Sequence, residues 1–178
     1  VLAARFDHPA VNFVHSDSPA DSRRAVEHLF DLGHRRVAFV MNNIPDRDHA
    51  DRLLGYQQAL AAAGIGEDPA LVVRIGADLT GGKASLNRLL SLSVPPTAVY
   101  YADGLACLGA MSRARELGLD GPADLSLVGF DDSDLRFRVW PVMTAVCQDA
   151  SALGFEAALW LTRTLTSRED RPLRKQAS

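Results

Sequence analysis

The sequence is short of cysteine, of basic charge and of long apolar runs. Only two cysteines, Cys107 and Cys147, occur in 178 residues. They show neither a zinc-type nor a disulfide-framework spacing, so reduced thiols in a cytoplasmic protein are expected. Lysine and arginine total 19 against 22 aspartate and glutamate, a formal net charge of -3. That balance lacks the basic footprint of a nucleic-acid-binding face, so DNA would have to be read by a separate module. No apolar run reaches the roughly 18 residues that a membrane-spanning helix needs. The first nine residues carry Arg5, Asp7 and His8 and do not read as a signal peptide.

Enzyme signatures are missing as well. Gly82-Lys83 resembles the end of a phosphate-binding loop, but Ala77 and Asp78 stand where its first glycine belongs, and Ala84 replaces the metal-binding Ser/Thr. Gly64-x-Gly66 lacks a third glycine and follows no strand, so there is no dinucleotide fingerprint. No Gly-x-Ser-x-Gly elbow occurs. The histidines His8, His15, His28, His34 and His49 never fall at His-x-x-x-His spacing; they read as surface or capping residues, with no metal site and no cofactor.

What is present is an ordinary globular balance, 47% hydrophobic and 23% charged, with short β-type runs alternating with helical patterns. Apolar runs at 11–14, 37–40, 71–75, 98–101, 125–129 and 143–146 read as strands. Between them, helical spacing covers a segment after Asp17-Ser18-Pro19 (Ala25, Val26, Leu29, Phe30), 52–63, a segment with Leu86, Leu89 and Leu90, 105–117 and 150–165. The segment 42–51, rich in Asn, Pro and Asp, reads as a loop, and 167–178 as a polar, frayed tail. Strands alternating with helices predict an α/β fold with parallel sheets, and runs apolar on both faces predict strands covered on both sides.

Four blocks, in this order, resemble the LacI/GalR family of transcriptional regulators. They are Leu32-Gly33-His34-Arg35-Arg36 running from a helix into the strand 37–40; Arg52-Leu53-Leu54-Gly55-Tyr56 with Ala63-Gly64-Ile65; Pro96-Thr97-Ala98-Val99-Tyr100-Tyr101-Ala102-Asp103 with Leu108-Gly109-Ala110; and Asp124-Leu125-Ser126-Leu127-Val128-Gly129-Phe130-Asp131-Asp132. The resemblance implies a two-lobed, periplasmic-binding-protein-like fold with a small-molecule effector, a sugar or related polyol, in the cleft. It places 1–34 and 144–166 in a partial first lobe and 35–143 in a nearly complete second lobe. The crossovers, and hence the hinge, fall at Gly33-His34 and at 130–134. It further implies a homodimer that meets operator DNA only through an N-terminal helix-turn-helix. That head and a last strand after Arg174 have no counterpart in the sequence, so a fragment is expected. A periplasmic sugar-binding protein of a transporter is the alternative; an enzyme is not expected.

Ligands of open parallel sheets bind outside the carboxyl ends of the strands. Arg52 follows the loop after 37–40, and its planar fork suits adjacent hydroxyls or a carboxylate. By resemblance this arginine grips the effector; a surface salt bridge with Asp48 or Asp51 is the competing reading. Asp131 would accept bonds from ligand hydroxyls or hold Arg52. Asp103 stands where the family usually has Asn, and Gly104 where it usually has Asp. An ionised Asp103 accepts but cannot donate, which points to donor-rich or cationic ligands, or to a nearby arginine. Tyr101, Phe130 and Trp140 are candidate aromatic walls, Trp140 equally a packing residue beside Pro141, and Asp78 is a further candidate. Ala4 and Ala150 stand where relatives place contacts. Dimerisation is expected on the apolar faces of 17–32 or 105–117, which core packing would explain equally well.

Overall fold

The computed structural model describes residues 11–130, 137, 139, 141–167 and 174–177. The order is β1 (Phe13–Ser16), α1 (Ser18–Asp31), β2 (Val37–Asn42), α2 (Arg47–Ala62), β3 (Val72–Ile75), α3 (Leu79–Leu90), β4 (Ala98–Tyr101), α4 (Gly104–Glu116), β5 (Ser126–Phe130), β6 (Thr144–Val146), α5 (Ala150–Ser167) and β7 (Arg174–Ala177). A single 3-10 turn, Pro69–Leu71, leads into β3. The strand–helix alternation read from the sequence is the one observed.

The chain divides into two compact units, 1–18 with 148–178 and 19–147. In the smaller unit, β1 pairs in parallel with β7, Phe13 opposite Arg174 and Ser16 opposite Ala177. Val14 and Leu153 are buried there. Two expectations are corrected here. The segment after Arg174 does supply a strand, and 174–177 is not a frayed tail. Its Arg-Lys-Gln-Ala has no apolar alternation; the backbone ladder, which any side chains can share, makes the pairing.

The larger unit is a five-stranded parallel sheet in the order β3-β2-β4-β5-β6. Strand alternation splits its core in two. Val37, Phe39 and Met41 join Val26 and Leu29 of α1 and Tyr56, Ala59 and Leu60 of α2 on one face. Ala38 and Val40 join Leu86 and Leu89 of α3 and Ala106, Cys107 and Ala110 of α4 on the other. The expected covering on both sides is therefore present. The buried hydroxyl of Tyr56 donates to the Val37 carbonyl at 2.9 Å, and burial pushes its pKa up to about 12.

This packing moves the expected boundary. Helix α1 was placed with 1–34 in the first lobe, but its apolar face lies in the core of the larger unit, and its Ser22 hydroxyl is 2.7 Å from that of Tyr100. The division falls at Ser18/Pro19 and again at Cys147/Gln148, not at 34/35 and 143/144. Gly33-His34 is consequently no crossover. Gly33, at φ 94°, ends α1 with its N–H on the Phe30 carbonyl, and the His34 N–H reaches Leu29.

The Gly82-Lys83 pair also finds its reason. A Cβ on Gly82 would lie 1.9 Å from the Ala106 carbonyl oxygen, and one on Gly109 would lie 2.2 Å from that of Leu79. These glycines let α3 and α4 touch backbone to backbone.

Candidate functional site

Strands β2, β4 and β5 are neighbours, so their carboxyl ends deliver three segments to one place. After β2 the chain turns at Asp46, whose carboxylate accepts the His49 backbone N–H at 2.8 Å and starts α2. This N-cap is why α2 begins at Arg47 and not at 52, in a segment whose composition reads as loop. One turn in, His49 and Arg52 stand three residues apart on the same side of the helix. After β4, Ala102 presents its carbonyl and Asp103 precedes α4 as a cap residue without a capping side-chain bond. β5 ends on Phe130.

These parts meet around Arg52. Its guanidinium carbon lies 3.7 Å from the centroid of the Phe130 ring. Its Nη1 donates to the Ala102 carbonyl at 2.6 Å, and its buried Nε has no partner among the described residues. Stacking on a ring face and one backbone acceptor fix the plane of the fork, and the Ala102 bond is its only hydrogen bond among the described residues. Neither Asp48 nor Asp51 forms an ion pair with it among the described residues; Asp51 pairs with Arg47 at 3.9 Å. Asp48 feels the arginine only at longer range: burial raises its pKa and the Arg52 charge opposes that rise.

Asp103 does not turn to an arginine. Its Oδ2 lies 2.8 Å from His49 Nε2, and on the other side of the ring Nδ1 lies 2.6 Å from Asp46 Oδ2. His49 is 7% exposed, a buried bridge and not a surface residue. Burial alone would lower its pKa, but the Asp103 hydrogen bond and the Asp103 and Asp46 charges outweigh burial and raise it. Sequence reading missed His49 and Asp46. The signal was Asp46-x-x-His49, a cap residue followed three positions later by a polar side chain.

The remaining candidates separate clearly. Tyr101 is 0% exposed, its hydroxyl 3.2 Å from that of Ser85. Although it is the last residue of β4, its side chain packs in the core that α3 and α4 cover, so it forms no ligand wall. Burial raises its pKa, with the Ser85 bond opposing. Asp78 caps α3, accepting the Gly81 N–H at 2.6 Å. Asp131 and Trp140, like Ala4, lie outside the described residues. Ala150 is the exposed first residue of α5. Among the described residues no group of His, Cys, Asp and Glu is disposed to hold a metal, and no helix is long and apolar enough to cross a membrane.

A hollow of about 470 Å³ is elsewhere. It lies among the ends of α1 and α4 and the starts of β5 and β6, lined by Leu29, Leu32, Met111, Leu125, Val142 and Met143 with His28 and Arg115 beside them. It is at the amino edge of the sheet, away from Arg52. The carboxyl edge is the candidate site because it gathers the oriented cation, the aromatic face and the carboxylate.

The sequence model of the periplasmic binding protein-like domain matches residues 26–177. The repressor CytR of Escherichia coli K12 is 36% identical over 148 residues, which is 83% of this chain and 43% of CytR. A LacI-family transcriptional regulator from Mycobacterium smegmatis superposes with a TM-score of 0.85 at 34% identity, covering 98% of this chain and 63% of that one. The transcriptional regulator CelR in complex with cellobiose superposes with a TM-score of 0.84 at 32% identity, covering 93% and 50%. The chain belongs to the periplasmic-binding-protein-like domain family, as the effector-binding domain of LacI/GalR-type regulators carries it. It spans about half the length or less of the curated relatives it matches.

Proposed function

We propose that this chain is the effector-sensing part of a LacI/GalR-type transcriptional regulator, and that its effector is a small hydroxyl-rich molecule held at the carboxyl ends of β2, β4 and β5. The guanidinium of Arg52 carries this reading: it is oriented by Phe130 and Ala102, and among the described residues only one of its donors is engaged, which suits it to a ligand. Asp103 contributes an acceptor; Phe130, expected as an aromatic wall, is 6% exposed and lies under the guanidinium, so it serves to hold the arginine fork in place. Asp131, directly after Phe130, is a further acceptor in the proposal; Trp140 remains a proposed wall. The relatives are named as regulators, which favours this reading over a transporter's sugar-binding protein. The regulator would act in the cytoplasm as a homodimer and meet operator DNA through a separate helix-turn-helix head. Its effector changes DNA affinity only by its differential affinity for two conformations of the protein.

A thermal-shift screen with cellobiose, ribose, sorbitol and adenine tests the proposal. A binder at one hundred times its Kd stabilises the folded state by about 2.7 kcal/mol, a rise of several degrees. A flat response to all sugar and polyol probes at millimolar concentration counts against it.

A further inference from the structure

A neutral imidazole has one N–H and one lone pair. Both ring nitrogens of His49 face carboxylate oxygens, at 2.6 Å to Asp46 and 2.8 Å to Asp103. Ionised carboxylates only accept, so the arrangement is satisfied when both nitrogens carry protons. The ring is buried, the Asp103 side chain is 23% exposed, and among the described residues the other charged groups acting on His49 are Arg52 and Asp48 on its own helix. An uncompensated charge on Asp103 would be costly in such a place.

We propose that His49 sets the specificity of this site: as an imidazolium between Asp46 and Asp103 it neutralises Asp103, so that the site takes neutral hydroxyl-bearing ligands and weakens when the proton leaves. The proposal rests on the reading of this edge as the effector site. Asp103 is held through Oδ2, which leaves Oδ1 to accept from a ligand hydroxyl. When His49 loses a proton, the shorter contact to Asp46 keeps the remaining N–H. The lone pair on Nε2 then opposes Oδ2, Asp103 turns away, and the acceptor that a ligand meets is lost. Asp103 thus selects neither a cationic ligand nor a neighbouring arginine; its partner is built in.

The test has two arms on the same 178-residue chain. Nitrogen-15 NMR of labelled histidines should show His49 with both nitrogens protonated at pH 6 and titrating above 6.5, and Asp103→Asn should lower that titration. A neutral ring at pH 6 overturns the proposal. In the second arm, calorimetry measures cellobiose, ribose and sorbitol at pH 6 and pH 8.5. Affinity should fall about tenfold at the higher pH, and His49→Gln should remove the dependence. Equal affinity at the two pH values while His49 titrates overturns the proposal and leaves the site standing. Failure of every probe at both pH values, with His49 titrating as expected, overturns the effector-site reading and the specificity built on it.

Discussion

The two edges of the larger sheet each hold a histidine clasped through both nitrogens, and they hold opposite chemistry. At the amino edge His34 lies 2.9 Å from the Thr97 hydroxyl and 2.9 Å from that of Ser126, at the starts of β4 and β5. Hydroxyls donate or accept, so a neutral ring satisfies both contacts, and burial lowers the pKa. At the carboxyl edge His49 faces two carboxylates, and its pKa is raised against burial. The first ring ties strands together; the second carries charge beside an oriented arginine. The familiar Leu-Gly-His-Arg-Arg block belongs to the first kind. Arg35 donates to the Phe30 and His34 carbonyls, and Arg36 donates to Val94 and pairs with Asp68 at 2.9 Å.

If the edges are divided this way, the largest effect comes from removing Arg52. Arg52→Ala should weaken the best-binding sugar probe by at least about 100-fold in calorimetry, roughly 2.7 kcal/mol, while changing the midpoint of urea unfolding little. A mutant that binds normally breaks the division. At the other edge His34→Ala should do the reverse. Losing two hydroxyl contacts lowers stability by about 1–2 kcal/mol in urea, with probe affinity unchanged.

The histidines should also bend stability with pH in opposite directions. The folded state holds its proton on His49 more tightly than the unfolded chain does. Its contribution is therefore full below about pH 6.5 and is lost as pH rises through the raised folded value. His34 holds its proton less tightly, so its contribution appears as pH rises toward 6.5 and fades on acidification. Urea midpoints from pH 5 to 8.5 should lose the alkaline fall in His49→Gln and the acid fall in His34→Gln. The smallest effect is expected at Tyr101. Tyr101→Phe removes one buried 3.2 Å contact and should cost about 1 kcal/mol without touching affinity.

Strand runs and helix spacing were legible because each apolar stripe ends in a covered face, as Val37 to Met41 shows. Arg52, Asp103 and Phe130 could be named as candidates from the sequence because position near a strand end is a property of the chain order. Tyr101 was misread because the chain order places it at a strand end but does not say that its side chain turns into the core under α3 and α4. The role of α1 was not legible: its stripe says that it packs, not against which sheet. β7 escaped because backbone pairing leaves no side-chain pattern, and His49 escaped because its partner Asp103 is 54 residues away. The start of α2 hung on a single cap, Asp46, within a segment of loop composition.

Amide chemical-shift mapping with cellobiose or whichever probe of the panel binds best tests the central claim most directly. The account expects perturbations gathered at 46–52, at 102–104 and at Phe130, with His34, Thr97 and Ser126 silent. Perturbations centred instead on the hollow by Leu32, Met111 and Val142 would place the effector at the wrong edge of the sheet and contradict it.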